Sequence, residues 1–232
     1  MAKVRKLVAF VAFTFLVCVS SLSTRAQSYY DEPQRLFYGG LVAGANFTQI
    51  DGDNFAGYRK VGANVGGIVY AQLANKLAAS MEILFVQKGS RSNTAQMTPF
   101  KDPIAGQPIR IDKYNIDLNY AEIPIMINYF DKRKSNFGLG FSYSQLISTN
   151  EKLLTAPTLA TETDPSTYSF RRADLNILAG VNLKLVGGLF LNVRFQYSLL
   201  PIRAYDDRFK NYMRKDQFNN LYVLRLMYLF NK

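Results

Sequence analysis

The side chains that could do chemistry in this chain are few. Its 232 residues contain no histidine, and Cys18 is the single cysteine. The commonest general base and the commonest metal ligand are therefore missing, and thiol chemistry rests on one position. What remains is a sparse set of charges inside otherwise alternating segments: Glu82, Glu122, Lys184, Arg194 and Arg225. Lys60 and Lys88 fall nearer the ends of their segments. A lone charge in a narrow interior is expensive, so such groups must pair or meet water. Two chemistries fit them: a charged constriction that selects or gates solutes, or a plug of ion pairs that fills the interior. The plug is the reading taken, because a small barrel leaves room only for side chains.

The other acidic groups suggest no centre. Asp206-Asp207 and Asp51-Gly52-Asp53-Asn54 read as surface loops, and the latter lacks the later glutamate of a calcium loop. Gly187-Gly188 reads as a hairpin turn. No catalytic set, no metal and no cofactor is expected, and the chain is read as non-enzymatic.

The elements that must hold these charges have a period of two. Val61, Ala63, Val65, Val69 and Ala71 alternate with Lys60, Gly62, Asn64, Gly66, Tyr70 and Gln72. Leu175, Ile177, Ala179, Val181, Leu183 and Leu185 alternate with Asp174, Asn176, Gly180, Asn182 and Lys184. The same rhythm runs from Phe37, Leu77, Phe137 and Leu189 and through the segment that ends at Phe230. Such alternation argues for strands. One face is apolar and almost uncharged. The other is rich in Gly, Ser and Asn, which suits a crowded lumen better than a solvated surface. The expectation is an all-β fold, an eight-stranded antiparallel transmembrane up-and-down β-barrel, with its apolar face toward lipid.

One segment changes phase. Ile116, Leu118 and Tyr120 are even-numbered, whereas Ile123, Ile125, Ile127 and Tyr129 are odd-numbered. If all face lipid, a β-bulge near Ala121–Glu122, beside Pro124, is required. Connections alternate in length. Short ones fall at Leu73–Lys76, Asp131–Lys134 and Val186–Gly188; long ones at Thr48–Arg59, Arg91–Asp112, Thr149–Phe170 and Ile202–Asp216. Short periplasmic turns and long extracellular loops are the outer-membrane pattern, and an even strand count puts both termini in the periplasm. The long loops are candidates for partner binding.

The first residues read as an export signal: basic Lys3, Arg5 and Lys6, an apolar run from Leu7 to Val19, then Thr24-Arg25-Ala26 with small residues flanking a cut after Ala26. Expected boundaries are 1–26 for the signal, 27–36 for a periplasmic segment and 37–232 for the barrel. The formal charge of +11 falls to +7 once Lys3, Arg5, Lys6 and Arg25 leave. Export makes nucleic acid an unsuitable partner for that charge. Outer-membrane lipids and other secretion or envelope proteins are the expected partners, in the bacterial outer membrane.

Several segments resemble the PorT-like family of outer-membrane β-barrel proteins. Gly40-Leu41-Val42-Ala43-Gly44-Ala45-Asn46-Phe47 is similar to its G-x-K-x-G-x-N-F opening, with Val42 for the basic residue. Leu118-Asn119-Tyr120-Ala121-Glu122-Ile123-Pro124-Ile125 resembles its L-x-Y-[LA]-E-I-P-[LI] strand, through Tyr120, Glu122, Ile123 and Pro124. The resemblance implies an integral barrel and, from the family's namesake, a place in type IX secretion and gliding machinery.

Overall fold

The computed structural model describes residues 36–52, 57–92, 96–101, 106, 108–132, 134–156, 169–204 and 216–230. The expected signal, residues 1–26, and nearly all of segment 27–36 lie outside these, as do Asp53, Asp206 and Asp207. Among the described residues there are ten strands: β1 Phe37–Asp51, β2 Lys60–Ala74, β3 Leu77–Ser92, β4 Gln96–Lys101, β5 Pro108–Phe130, β6 Asn136–Ala156, β7 Ala173–Lys184, β8 Leu189–Ser198, β9 Arg203–Ala204 and β10 Asp216–Leu229.

Eight of them close a ring. The order is β1-β2-β3-β5-β6-β7-β8-β10, and β10 returns to β1 with Gly40 opposite Leu229 and Asp51 opposite Phe218. Each pairing is antiparallel between ring neighbours. β4 and β9 are short additions on β5 and β10. Closure leaves no sheet edge in the hydrocarbon, where water cannot satisfy backbone groups.

The apolar face points outward. Leu41, Ile83, Ile125, Ile177, Val193 and Leu224 are all exposed, and the residues on either side of each are buried inside. On β5 the outward apolar run from Ala121 to Tyr129, at about 3.3 Å per residue and a tilt of about 40°, covers roughly 20 Å of membrane, close to the band of about 25 Å in such barrels. Tyr129, Phe137, Tyr228 and Phe230 stand exposed toward the short-turn end, as an interfacial girdle requires.

The phase change lies on a different strand from the one expected. On β5 every even residue from Tyr114 to Phe130 is buried, so Ile116, Leu118 and Tyr120 point into the barrel together with Glu122 and Pro124. No bulge interrupts β5 at Ala121–Glu122. The extra residue is on β6: Asn119 pairs Ser148 and Tyr120 pairs Leu146, which leaves Ile147 unmatched and 60% exposed. Before it the odd residues of β6 face out; after it Ser148 and Asn150, partners of outward Asn119 and Asp117, do so. Pro124 does perturb the ladder. Cα partners between β3 and β5 are interrupted between Met81–Ile125 and Leu84–Glu122 with the register unchanged, because proline offers no N–H.

All four of the expected long loops are partly strand, two of them extensively. β5 begins at Pro108 and β6 runs on to Ala156, paired from Lys113–Leu154 down to Asn119–Ser148. Outside the membrane both faces of a strand can be polar, so the ladder continues where the alternation ends.

Candidate functional site

The lumen is filled in three layers. Toward the short-turn end Val42, Ile68, Tyr70, Ala78, Phe130, Phe190, Met227 and Leu229 form one buried apolar cluster, which Leu84 and Val86 extend along β3 between Glu82 and Lys88. At the long-loop end Ile50, Ile111, Tyr114, Ile116, Leu118, Tyr120, Phe170 and Ile202 form another. Between them lies a polar layer built from inward positions of all eight ring strands. Small residues leave room for it: Gly44 pairs Arg225 and Gly180 pairs Arg194 across the ladder. A Cβ at Gly44 would overlap the Arg225 backbone and its Cβ.

Two ionic groups occupy this layer. In the first, Glu82 receives both arginines. Arg194 Nη2 is 2.5 Å from Glu82 Oε1 and its Nη1 donates to Oε2 at 3.3 Å. Arg225 Nη2 is 2.8 Å from Glu82 Oε2. The rest of the Arg225 guanidinium donates to amides: Nε to Asn192 Oδ1 at 2.8 Å and Nη1 to Asn64 Oδ1 at 3.1 Å. Asn64 donates onward to Asn46, and Asn192 to Asn182, which reaches Asn136 and Tyr70.

In the second group, Lys88 Nζ lies 2.9 Å from Glu122 Oε2 and 3.3 Å from Asp174 Oδ2. It also donates to Ser144 Oγ and Asn176 Oδ1, both at 3.2 Å, and sits 5.0 Å from the centre of the Tyr120 ring. Gln196 Nε2 donates to both Glu122 oxygens at 3.0 Å, and Asn219 Nδ2 to Asp174 Oδ2 at 3.0 Å. The first group has two cations and one anion, the second one cation and two anions, so the six charges cancel. All six residues are at most 3% exposed. Buried charges persist only with such pairing and hydrogen bonding.

Of the candidate residues, Glu82, Arg194 and Arg225 come together and Glu122 belongs to the adjacent group. Lys184 does not join either. It is half-buried on the last residue of β7, opposite Phe190 and beyond the Tyr70–Phe190 layer, and its backbone N donates to Ser135 Oγ at 3.1 Å. Alternation gave its face but not its depth. Lys88 and Asp174 are central to the second group, although Lys88 looked like a strand-end residue and Asp174 only like one more polar position. The shared phase of Asp174, Asn176 and Gly180 with the lumen was the signal available. In the family-like strand, Tyr120, Glu122 and Pro124 face the lumen and Ile123 is 42% exposed to lipid. A third buried pair, Arg203 with Glu151, closes the loop end, its guanidinium 3.6 Å from the Phe170 ring centre.

Among the described residues no group of three or more His, Cys, Asp or Glu could hold a metal ion. The carboxylates of Glu122 and Asp174 are both engaged by Lys88.

No curated protein matches the chain in sequence. Among solved structures, Ail, the attachment invasion locus protein of Yersinia pestis, is similar with a TM-score of 0.42 and 12% identity, over 84% of this chain and 100% of that one. Neisserial surface protein A matches with a TM-score of 0.40 and 11% identity, over 85% of this chain and 99% of that one. AlkL, an outer membrane protein, matches with a TM-score of 0.36 and 12% identity, over 88% of this chain and 96% of that one. A family model, the outer membrane protein beta-barrel domain, matches residues 26–203. The chain thus belongs to the outer membrane protein beta-barrel domain family, and its place is the bacterial outer membrane.

Proposed function

We propose that this protein is a sealed, non-enzymatic barrel that serves as an accessory or interaction component of a secretion assembly of the type IX kind, the role that its PorT-like segments imply. The observation that carries the reading is the layered lumen. Tyr70, Ala78 and Phe190 at one end, and Tyr114, Ile116, Leu118, Tyr120 and Ile202 at the other, are at most 1% exposed. They enclose an ionic layer whose charges are matched internally. A barrel filled in this way gives solutes no path, so its work falls to its surfaces. The wall formed by β5 and β6 beyond the membrane offers envelope proteins such a surface. The proposed partners are outer-membrane lipids and envelope proteins, not nucleic acid.

The test is deletion of the gene followed by comparison of secreted and periplasmic proteins. Loss of cargo from the medium with its accumulation in the periplasm, reversed by the intact gene, supports the role. Unchanged secretion removes it. Planar-bilayer recording tests the sealed lumen separately. Silence is expected, and a stable pore whose selectivity shifts in Arg194→Ala would replace the scaffold by a small channel.

A further inference from the structure

The barrel wall has a weak seam where its lipid belt ends. β2 and β3 pair from Ala74–Leu77 only as far as Asn64–Val86. Beyond that point β2 continues beside β1 to Lys60, and β3 continues beside β5 to Ser92. Side chains, not a ladder, span the gap. Asn46 Nδ2 donates to Ala63 O at 3.2 Å and to Gln87 O at 3.1 Å. Thr48 Oγ1 donates to Gly89 O at 2.7 Å, and Gln87 Oε1 accepts from Ala63 N at 3.0 Å.

A cavity of about 250 Å³ opens beside this seam, lined by Lys60, Gln87, Lys88, Asp117, Leu118, Asn119 and Asn150. Gln87, Asp117 and Asn119 hold outward positions, directly above Phe85 and Ala121 where the outward face turns from apolar to polar. The cleft thus lies at the level of the outer-leaflet headgroups. Its chemistry is specific. Lys60 and Asp117 form an ion pair, and Lys88 is neutralised within the lumen, so the lining carries no net charge. Gln87 Nε2 donates to Asn119 Oδ1 at 3.1 Å, and Asn119 Nδ2 to Ser148 Oγ at 2.8 Å, which fixes two carboxamide planes. Asn115 Nδ2 also donates to Asp117 Oδ2 at 2.7 Å. Beyond these bonds each carboxamide keeps a second N–H and a second oxygen lone pair and the carboxylate keeps further lone pairs, so the lining can still pair with hydroxyl groups, which both donate and accept.

We infer that this cleft binds a sugar ring, presented as the headgroup of an outer-leaflet glycolipid. The cleft is small for a drug-sized ligand and suits a single ring. Bound there, the ring bridges β2 to β5 across the seam.

The experiment uses the full mature barrel in phosphatidylcholine nanodiscs, with or without glucosyl diacylglycerol, and follows the side-chain amide NMR signals of Gln87, Asn119 and Asn150. The expected result is a saturable shift of these signals with the glycolipid, about tenfold weaker binding in Asn119→Ala, and unchanged binding in Gln72→Ala, an amide at the short-turn end of β2 away from the cleft. Heat-modifiable migration of each variant checks that it is folded. Free glucose tests the source: weaker binding than the glycolipid supports headgroup recognition, and equal binding assigns the site to a soluble sugar and overturns the lipid source. Signals unmoved by either probe, or wild-type affinity in folded Asn119→Ala, overturn the site itself.

Discussion

Glu82 and Arg194 face each other from β3 and β8, opposite strands of the ring, and their side chains meet at 2.5 Å across the lumen. The two residues are 112 positions apart in the chain. This strut can form only after the barrel closes, so it tests closure as well as pairing. Arg225 shares the same carboxylate from β10.

Removing the carboxylate is therefore the severe change. Glu82→Ala leaves two guanidiniums buried without a counter-charge, and breaking a buried pair in this way costs about 3–5 kcal/mol. The urea midpoint for conversion of the fast-migrating folded band to the unfolded band is expected to fall sharply. Glu82→Gln retains hydrogen bonding and should fall between the two. A midpoint unchanged in Glu82→Ala would mean that the arginines reach water, against the sealed lumen.

Replacing the whole set is expected to be gentler. Glu82→Met, Arg194→Met and Arg225→Met together leave no unpaired guanidinium and only the single surplus negative charge that Glu122 and Asp174 share around Lys88, and apolar replacement of buried ionic groups is often neutral or stabilising. The triple variant should be more stable than Glu82→Ala alone on the same gel assay. If it is less stable, the amides Asn64, Asn192 and Asn182 depend on Arg225 for their own satisfaction, and the network acts as one unit.

The alternation in Val61–Ala71, Leu175–Leu185 and Leu189–Leu199 made the strands, the lipid face and the short turns legible from the residues alone. Depth was not legible. Ile116, Leu118 and Tyr120 look like lipid-facing residues by type, yet they plug the lumen, because an apolar side chain is equally at home in lipid and in a dry interior. That ambiguity also misplaced the bulge: reading them as outward forced a phase change into β5, whereas the phase changes at Ile147 on β6. Lys88 and Asp174 were hidden for a related reason. The apolar rhythm of β3 stops at Phe85, but its ladder continues to Ser92, so Lys88 lies inside a strand and not at its end.

The position of the lipid belt can be tested by charge. Ile125 is 57% exposed in the middle of the outward apolar run, and Leu154 is 58% exposed on the part of β6 beyond the membrane. An arginine near the bilayer midplane costs about 2–4 kcal/mol, falling toward zero at the interfaces. Ile125→Arg should lower the folded fraction in lipid vesicles by that amount and Leu154→Arg should leave it nearly unchanged. Equal penalties would place the β5–β6 extension in the hydrocarbon and overturn the belt drawn here.

The seam between β2 and β3 should open locally before the barrel unfolds. Thr48 is buried at 1% exposure, and its hydroxyl donates to Gly89 O across the gap left by the missing ladder. Gly89 has a φ of +140°, a conformation that few other residues adopt, so this piece of β3 cannot easily shift to find another donor. Thr48→Val keeps the shape and removes the hydrogen bond, at a cost of about 1–3 kcal/mol. Because ladders resume at Asn64–Val86, the cost should stay local. Amide hydrogen exchange is expected to accelerate at Val61–Ala63 and Lys88–Ser90, while amides of the lipid belt on β3 and β5 keep their protection. Uniform acceleration around the ring would show instead that the seam is coupled to the whole barrel and is no weaker than the rest of the wall.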